Sequence, residues 1–374
     1  MSAATLLAQT LRASILALPR RTPGSAARPL SMDDLLWRAQ SALERERDAV
    51  LDRFRRAGIR LLTGAASLVD PHTLEVRHAG TLERVRAERV VFAVDTLPER
   101  PESIAFDGRT VLAADEIARL RDVPRTLAVV GSGCIGLEFA SMFAALGVRV
   151  TVVERHPRVL GHVDEELAEA LLYHLRGHGV EFRLGEQVAA VDHDGVGPRV
   201  RLENGEMLHA DAVLVVANVF AAGDAGDKGR REALAAFGHP LPPPAAVPHT
   251  LATIPELSFV GSTERELIAA QTPYAAGVAS YRDLLRAEIA GDRFGLLKLL
   301  VHVETRQLLG IHALGTSAAE LVHIGQVAVA GGLPIDYFAD APFNVPTFAE
   351  AYSVATRDAA AGLRSVEPAA ANAA

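Results

Sequence analysis

Three glycines and one acid are the residues of this chain whose spacing can do chemistry. Gly131, Gly133 and Gly136 stand in the pattern G-x-G-x-x-G, and Glu154 closes the apolar run that follows them. Glycine in the first place permits a turn too tight for a side chain, and in the second it lets backbone approach a pyrophosphate. In the third it lets a helix lie close against a strand. The helix start supplies free N–H groups and a partial positive charge for phosphate oxygens. An acid at the end of the next strand can hold the two hydroxyls of a ribose. Together these residues predict a dinucleotide site, with NAD(H) preferred because Glu154 repels a 2′-phosphate. NADP(H) stays open, since Arg155 and Arg158 either reach such a phosphate or lie as solvated surface.

The elements that must hold these residues are legible around them. From Thr126 the chain reads strand ("TLAVV"), glycine turn, helix from near Ile135 ("LEFASMFAALG") and strand ("RVTVVE"). A helix in "DEELAEALLYHLRGHG", a strand in "EFRLG" and a strand pair in "AAVDHD" and "RVRLEN" extend it, and "DAVLVVA" closes the unit near Asn218. Upstream, residues 1 to 18 read as helix. Ser31 then offers an N-cap, with Asp33 and Asp34 in the first turn of an amphipathic helix that stops near Gly58. "IRLLTG", "ASLVD", "TLEVR" and "RVVFAV" read as short strands, and "RTVLAADEIARL" as a connector. Beyond the proline-rich "HPLPPPAAVP" the character changes. "ELSFVG", "GLLKLLVHVE" and "QLLGIHALG" read as antiparallel strands, and "SAAELVHIGQVAVAGG" and "TFAEAYSVATRDAAAG" as helices, which predicts a separate α+β domain.

Composition narrows the classes. The 374 residues are 49% apolar and 22% charged, an ordinary globular balance in a chain long enough for more than one core. A net charge of −8 and the lack of any long Lys/Arg block argue against a nucleic-acid partner. The one cysteine, Cys134, excludes an internal disulfide or dithiol pair and suits a reducing cytoplasm. "MSAATLLAQTLRASILALPRR" has no basic leading segment, and Gln9 and Arg12 interrupt its apolar run, so it does not read as a signal peptide. "AVLVVANVFAAG" is too short to cross a membrane. His302, His312 and His323 lack metal-ligand spacing, so no metal is expected.

The segment "GSGCIGLEFASMFAALGVRVTVVER" resembles the NAD domain of the two-dinucleotide flavoprotein reductases, the group containing dihydrolipoamide dehydrogenase. "TIPELSFVGSTERELIA", "LLKLLVHVETRQLLGIHALGTSAAELVHIGQ" and "FNVPTFAEAY" are similar to its soluble, Si-specific pyridine nucleotide transhydrogenase branch. The likeness runs from about residue 5 to residue 363. It implies an α/β fold, with a Rossmann-like NAD domain inserted in an FAD-type domain and a C-terminal α+β domain that pairs two copies into a homodimer. On that pattern residues 1–122 form a partial FAD-type domain and 123–218 the NAD(P) domain. Residues 219–245 are a remnant of the FAD-type domain with its linker, 246–364 the dimerisation domain and 365–374 a tail. The implied activity is hydride transfer between NADH and NADP+ through bound FAD.

The same resemblance marks departures on the flavin side. Family members hold FAD on a first glycine fingerprint, whereas this chain has one fingerprint in all. "TLLAQTLRASIL" matches the helix that the family places just after its redox motif, so the chain is expected to start beyond that motif. The family lysine of that helix corresponds to Gln9, while its glutamate partner is retained as Glu138. Asp95 in "AVDTLP" replaces a family glycine. Gly223 and Asp224 match the pair whose aspartate holds the ribityl chain, but they follow "VLVVAN" almost at once, and Asp224 reads equally as a loop carboxylate beside Asp227. Where disulfide-reducing relatives carry a His–Glu pair, this chain has Val345 and Glu350, which excludes dithiol chemistry and agrees with the transhydrogenase branch. The expectation is a chain that binds nicotinamide nucleotide and little or no FAD. Its alternatives to an active enzyme are a non-catalytic NAD(H)-binding dimer or a fragment of a larger flavoprotein; no catalytic residue is assigned.

Overall fold

The computed structural model describes residues 3–18, 31–92, 100–195, 197–216, 231, 233–239 and 246–366. At its centre is a parallel sheet of five strands in the order Val111–Ala113, Ala212–Val215, Thr126–Val130, Arg149–Glu154, Val180–Leu184. The runs of valine, leucine and alanine in Val111–Ala113 and Ala212–Val215 are wholly buried, as a sheet covered on both faces requires. Two crossover helices, Cys134–Ala145 and Glu165–Gly177, connect its last three strands. The first has buried residues from Gly136 through Ala144, because Leu137, Phe139, Met142 and Phe143 pack into the main core. An antiparallel layer of Val188–His193, Pro198–Leu202 and Met207–His209 covers one face, with Val191, Val200 and Leu202 set against Val111, Val153 and Val213.

The N-terminal helices join this same core. Leu7, Leu11 and Ile15 of helix Ala3–Leu16, with Met32, Leu35 and Leu36 of helix Met32–Arg56, cluster with Leu137 and Phe139. Ser31 caps the second helix as expected, and Asp34 completes a reciprocal capping box. Beyond Ala39 full burial stops: among the described residues between Ala39 and Val111 none is buried, although Ile104 and Phe106 pack partly buried against the antiparallel layer. That stretch holds an antiparallel sheet of Ala65–Asp70, Thr73–His78 and Thr81–Arg86. "IRLLTG" is not a strand, because no described strand pairs with it, and Ile59 and Leu61 are left exposed. "RVVFAV" is not a strand as far as Phe92, beyond which it lies outside the described residues. The connector "RTVLAADEIARL" contributes Val111–Ala113 to the central sheet, a pairing set by the distant Ala212–Val215.

The C-terminal region is an antiparallel sheet in the order His249–Leu251, Leu257–Gly261, Leu308–Gly315, Gly295–His302, Tyr274–Ser280. Helices Ala318–Gly331 and Ala351–Val366 pack on it. Gly277 shows how closely, since a Cβ there would lie 2.1 Å from Ala355 O. Tyr352 ties the two helices, donating to Leu321 O and accepting from the Gly325 N–H. No helix among the described residues is long and apolar enough to cross a membrane.

One strip of chain, Ala252 to Glu256, docks this region on the rest. The Ala252 N–H donates to Glu138 Oε1 at 2.8 Å, and the Ile254 N–H donates to Ser141 Oγ at 3.0 Å, one helical turn further along. From the other side Arg12 Nε donates to Thr253 O at 2.9 Å, and its Nη1 lies 2.7 Å from Glu256 Oε1. Burial pushes the Glu138 carboxyl up to about 7, against the opposing pull of the Ala252 N–H and the Arg12 charge. A carboxyl whose folded pKa is raised binds its proton more tightly in the native state. Its ionisation therefore costs stability as pH rises from the ordinary glutamate range to about 7. Glu138→Gln keeps an oxygen for the Ala252 N–H and removes that cost. Unfolding by urea should show the variant level with the parent near pH ~4 and about 2–3 kcal/mol more stable near pH ~8. A difference that does not vary with pH would contradict this account of Glu138.

Candidate nucleotide-binding site

The three fingerprint glycines do different work. Gly131 has φ +102°, and a Cβ there would lie 2.5 Å from Val216 O, so strand Thr126–Val130 can turn sharply only without a side chain. A Cβ on Gly136 would lie 2.1 Å from Gly131 O, which brings the helix start hard against the strand end. Gly133 differs: nothing lies within 4 Å of where its Cβ would be. Two glycines are required by protein packing, and the third opens on free space.

Gly133 is the N-cap of helix Cys134–Ala145, and no side chain caps that helix. Three of the other helix starts show a contrast. Asp164 accepts the Glu166 N–H on helix Glu165–Gly177, Glu256 accepts the Ala319 N–H on helix Ala318–Gly331, and Ser31 with Asp34 closes helix Met32–Arg56. At those three starts the protein's own carboxylates meet the positive end of the helix, so a phosphate would be repelled. At Gly133 the N–H groups stand open.

Glu154 ends strand Arg149–Glu154 beside this turn. Its Oε2 accepts from the Ser132 N–H at 2.8 Å and the Ser132 hydroxyl at 2.9 Å, and its Oε1 accepts from the His156 N–H at 2.9 Å. Partial burial works against ionisation, but the hydrogen bonds from His156 and Ser132 outweigh it and hold the carboxyl below the usual range. An ionised carboxylate has about four acceptor positions, so Oε1 keeps capacity for a ribose hydroxyl. Ser132 was hidden at the sequence level. It is an unspecified position of the fingerprint, and only the fold brings it to Glu154. Arg155, His156 and Arg158 lie exposed just beyond. Cys134, first in the helix, has its Sγ 3.7 Å from His162 Nε2. Burial, with the nearby Glu138 charge, pushes the thiol up to about 11, which disqualifies it as a nucleophile near neutrality.

The flavin-side expectations fare differently. Gln9 is exposed, and Glu138, the family lysine's partner, engages the Ala252 N–H. Asp95, Gly223 and Asp224 lie outside the described residues. Val345 is exposed and Glu350 half-buried. His302 Nδ1 accepts the Glu304 and Thr305 N–H groups of its own turn, and His312 Nε2 donates to Ser262 O. His323 Nδ1 pairs with Gln326 on its own helix. Among the described residues no group of histidines, cysteines and acids could hold a metal. The second crossover helix of the parallel sheet starts on Asp164, so of this sheet's two crossover helices only the first starts on an uncapped glycine turn.

Comparison with known proteins agrees with this architecture. The description "pyridine nucleotide-disulphide oxidoreductase" matches residues 2–219, and that family's dimerisation domain matches residues 247–356. A soluble pyridine nucleotide transhydrogenase of Mycobacterium bovis is 37% identical over 409 residues, covering 95% of this chain and 87% of its own. One from Marinobacter nauticus is 35% identical over 380 residues, covering 87% and 81%. Among solved structures, LpdA from Mycobacterium tuberculosis superposes with a TM-score of 0.84 at 22% identity, covering 95% of this chain and 89% of that one. The HOCl-induced flavoprotein disulfide reductase RclA of Escherichia coli gives 0.81 at 21%, covering 97% and 89%. The last two similarities speak for the fold alone. Membership of the family implies a flavin and a pyridine nucleotide as its cofactors. With both family descriptions satisfied along most of its length, the chain belongs to the pyridine nucleotide-disulphide oxidoreductase family.

Proposed function

We propose that this chain binds NAD(H) at the turn from Gly131 to Gly136, as the nucleotide-holding part of a transhydrogenase-type protein of the reducing cytoplasm. The observation that carries the reading is the open Gly133 on an uncapped helix start, where three other helix starts carry their own carboxylates. The helix N–H groups meet the pyrophosphate, Ser132 is held rigid by Glu154, and Glu154 meets the adenosine ribose. An ionised carboxylate at that place repels a 2′-phosphate, which favours NAD(H) over NADP(H). The names of the relatives favour a second reading, hydride transfer between NADH and NADP+. Bound FAD would supply the relay of hydride between the two nucleotides.

Titration of NADH and NADPH into the full chain tests this assignment. NADH should bind more tightly, and Gly133→Val should abolish binding while leaving thermal unfolding nearly unchanged, since its Cβ meets open space. Equal NADH affinity in the variant removes the site. The visible absorbance of the same preparation separates the two readings: a yellow protein with stoichiometric FAD that NADH bleaches restores the transhydrogenase.

We infer in addition that two copies pair through the C-terminal domain. The family's dimerisation domain matches here, and Val327, Tyr337 and Val345 stand exposed on it at 68%, 60% and 52%. Light scattering should report twice the chain mass, and Val327→Asp should shift the protein toward monomer. A monomeric parent protein would contradict the pairing.

A further inference from the structure

The segment 155–164 leaves Glu154 beside the glycine turn and ends in the grip of the C-terminal sheet. Lys298, in strand Gly295–His302, is 2% exposed. Its Nζ lies 2.9 Å from Asp164 Oδ1, 2.9 Å from Glu166 Oε2 and 3.2 Å from Glu264 Oε2. Burial opposes the charge, but hydrogen bonds to Glu166 and Asp164 overcome it and hold the ammonium above the usual lysine range. Asp164 is 1% exposed and its Oδ2 has no hydrogen-bond partner, so its hold on the C-terminal sheet runs through Oδ1 alone. A second grip comes from helix Glu264–Ala269, where Arg265 Nη1 donates to Gly161 O at 2.8 Å.

Between Glu154 and these anchors Val159, Leu160 and Val163 are buried in the main core, and the loop touches the glycine turn near each of its ends. At its start Glu154 holds Ser132, and near its end His162 lies against Cys134, the first residue of the fingerprint helix. The same His162 ring faces Phe259 of the C-terminal sheet, with centroids 6.1 Å apart. The chain between them exposes Arg155, His156 and Arg158 on the ribose side of the site. A loop released from its anchors would have to be ordered again whenever nucleotide binds. The apparent affinity then falls by the fraction of time the loop is in place.

We propose that Lys298 and Arg265 are positioning residues for the nucleotide. Through Asp164 and Gly161 they fix the loop that forms the adenosine-ribose side of the site, so the C-terminal domain sets affinity for that half of the dinucleotide. The proposal rests on the reading of Gly131 to Gly136 as the nucleotide site.

The experiment titrates the full-length protein with NADH, ADP-ribose and reduced nicotinamide mononucleotide. Lys298→Met should weaken NADH and ADP-ribose about tenfold and the mononucleotide less than about twofold, and Lys298→Arg should recover part of the loss. Arg265 is half exposed, so Arg265→Ala should fold normally and weaken ADP-ribose about threefold. It decides the matter if Lys298→Met does not fold. Unchanged ADP-ribose affinity in a folded Lys298→Met or in Arg265→Ala overturns the proposal, as does an equal loss on all three ligands. A parent protein that fails to bind NADH overturns the site itself, which distinguishes the two failures.

Discussion

A Cβ on Gly136 would come within 2.1 Å of the Gly131 carbonyl, and the rest of the site depends on the absence of that one carbon. Because helix and strand can touch there, the helix start is driven up to the carboxyl edge of the parallel sheet, with Gly133 outermost. The strand Thr126–Val130 has Ala212–Val215 on one side and Arg149–Glu154 on the other. The helix therefore begins where the chain's path across the sheet divides, the place where open α/β sheets hold ligands. Glu154, on the neighbouring strand, then falls within reach of Ser132, and the turn becomes a rigid cradle rather than a loop.

The C-terminal region is held to this cradle by buried contacts, with Leu251, Leu257, Phe259 and Leu314 sharing the main core. Ala252 to Glu256 lies between helix Ala3–Leu16 and the fingerprint helix, and its N–H and carbonyl groups are satisfied by Glu138, Ser141 and Arg12. Glu256 serves twice, pairing with Arg12 and closing the start of helix Ala318–Gly331. The Glu138 carboxyl is thus a docking group, and with only a backbone N–H and the Arg12 charge to favour it its ionisation is poorly supported. Lys298 is the converse case, a buried cation with three carboxylates around it.

Against these dense regions stands the stretch between Ala39 and Val111. Its described residues include a sheet of three strands and the outer half of a long helix, yet none is buried. Val69, Leu82 and Phe92 are exposed at 53%, 47% and 62%. Apolar side chains left in water contribute little stability, so this layer rests on strand pairing and on surface ion pairs such as Arg84 with Glu75. Local opening is expected to begin there, well away from the glycine turn.

Much of this was legible in order along the chain. The glycine spacing, the apolar runs flanking it, the Ser31 cap and the alternation beyond Pro248 are local signals, because turns, caps and strand periodicity act within a few residues. They sufficed for the α/β class, the helix near residue 134 and the antiparallel C-terminal sheet. The failures have one physical cause: a strand exists only with a partner. "IRLLTG" has strand composition and no partner, whereas Val111–Ala113 is too short to notice and is made a strand by Ala212–Val215, a hundred residues away. The same holds within the site. Local sequence determined that an anion could meet the helix start and that an acid would end the next strand. Tertiary structure alone decided that Ser132 would occupy that acid, that Glu138 would face a backbone N–H, and that Lys298 would reach Asp164. Those are contacts between distant segments, and hydrogen bonding and burial at such distances leave no period in the sequence.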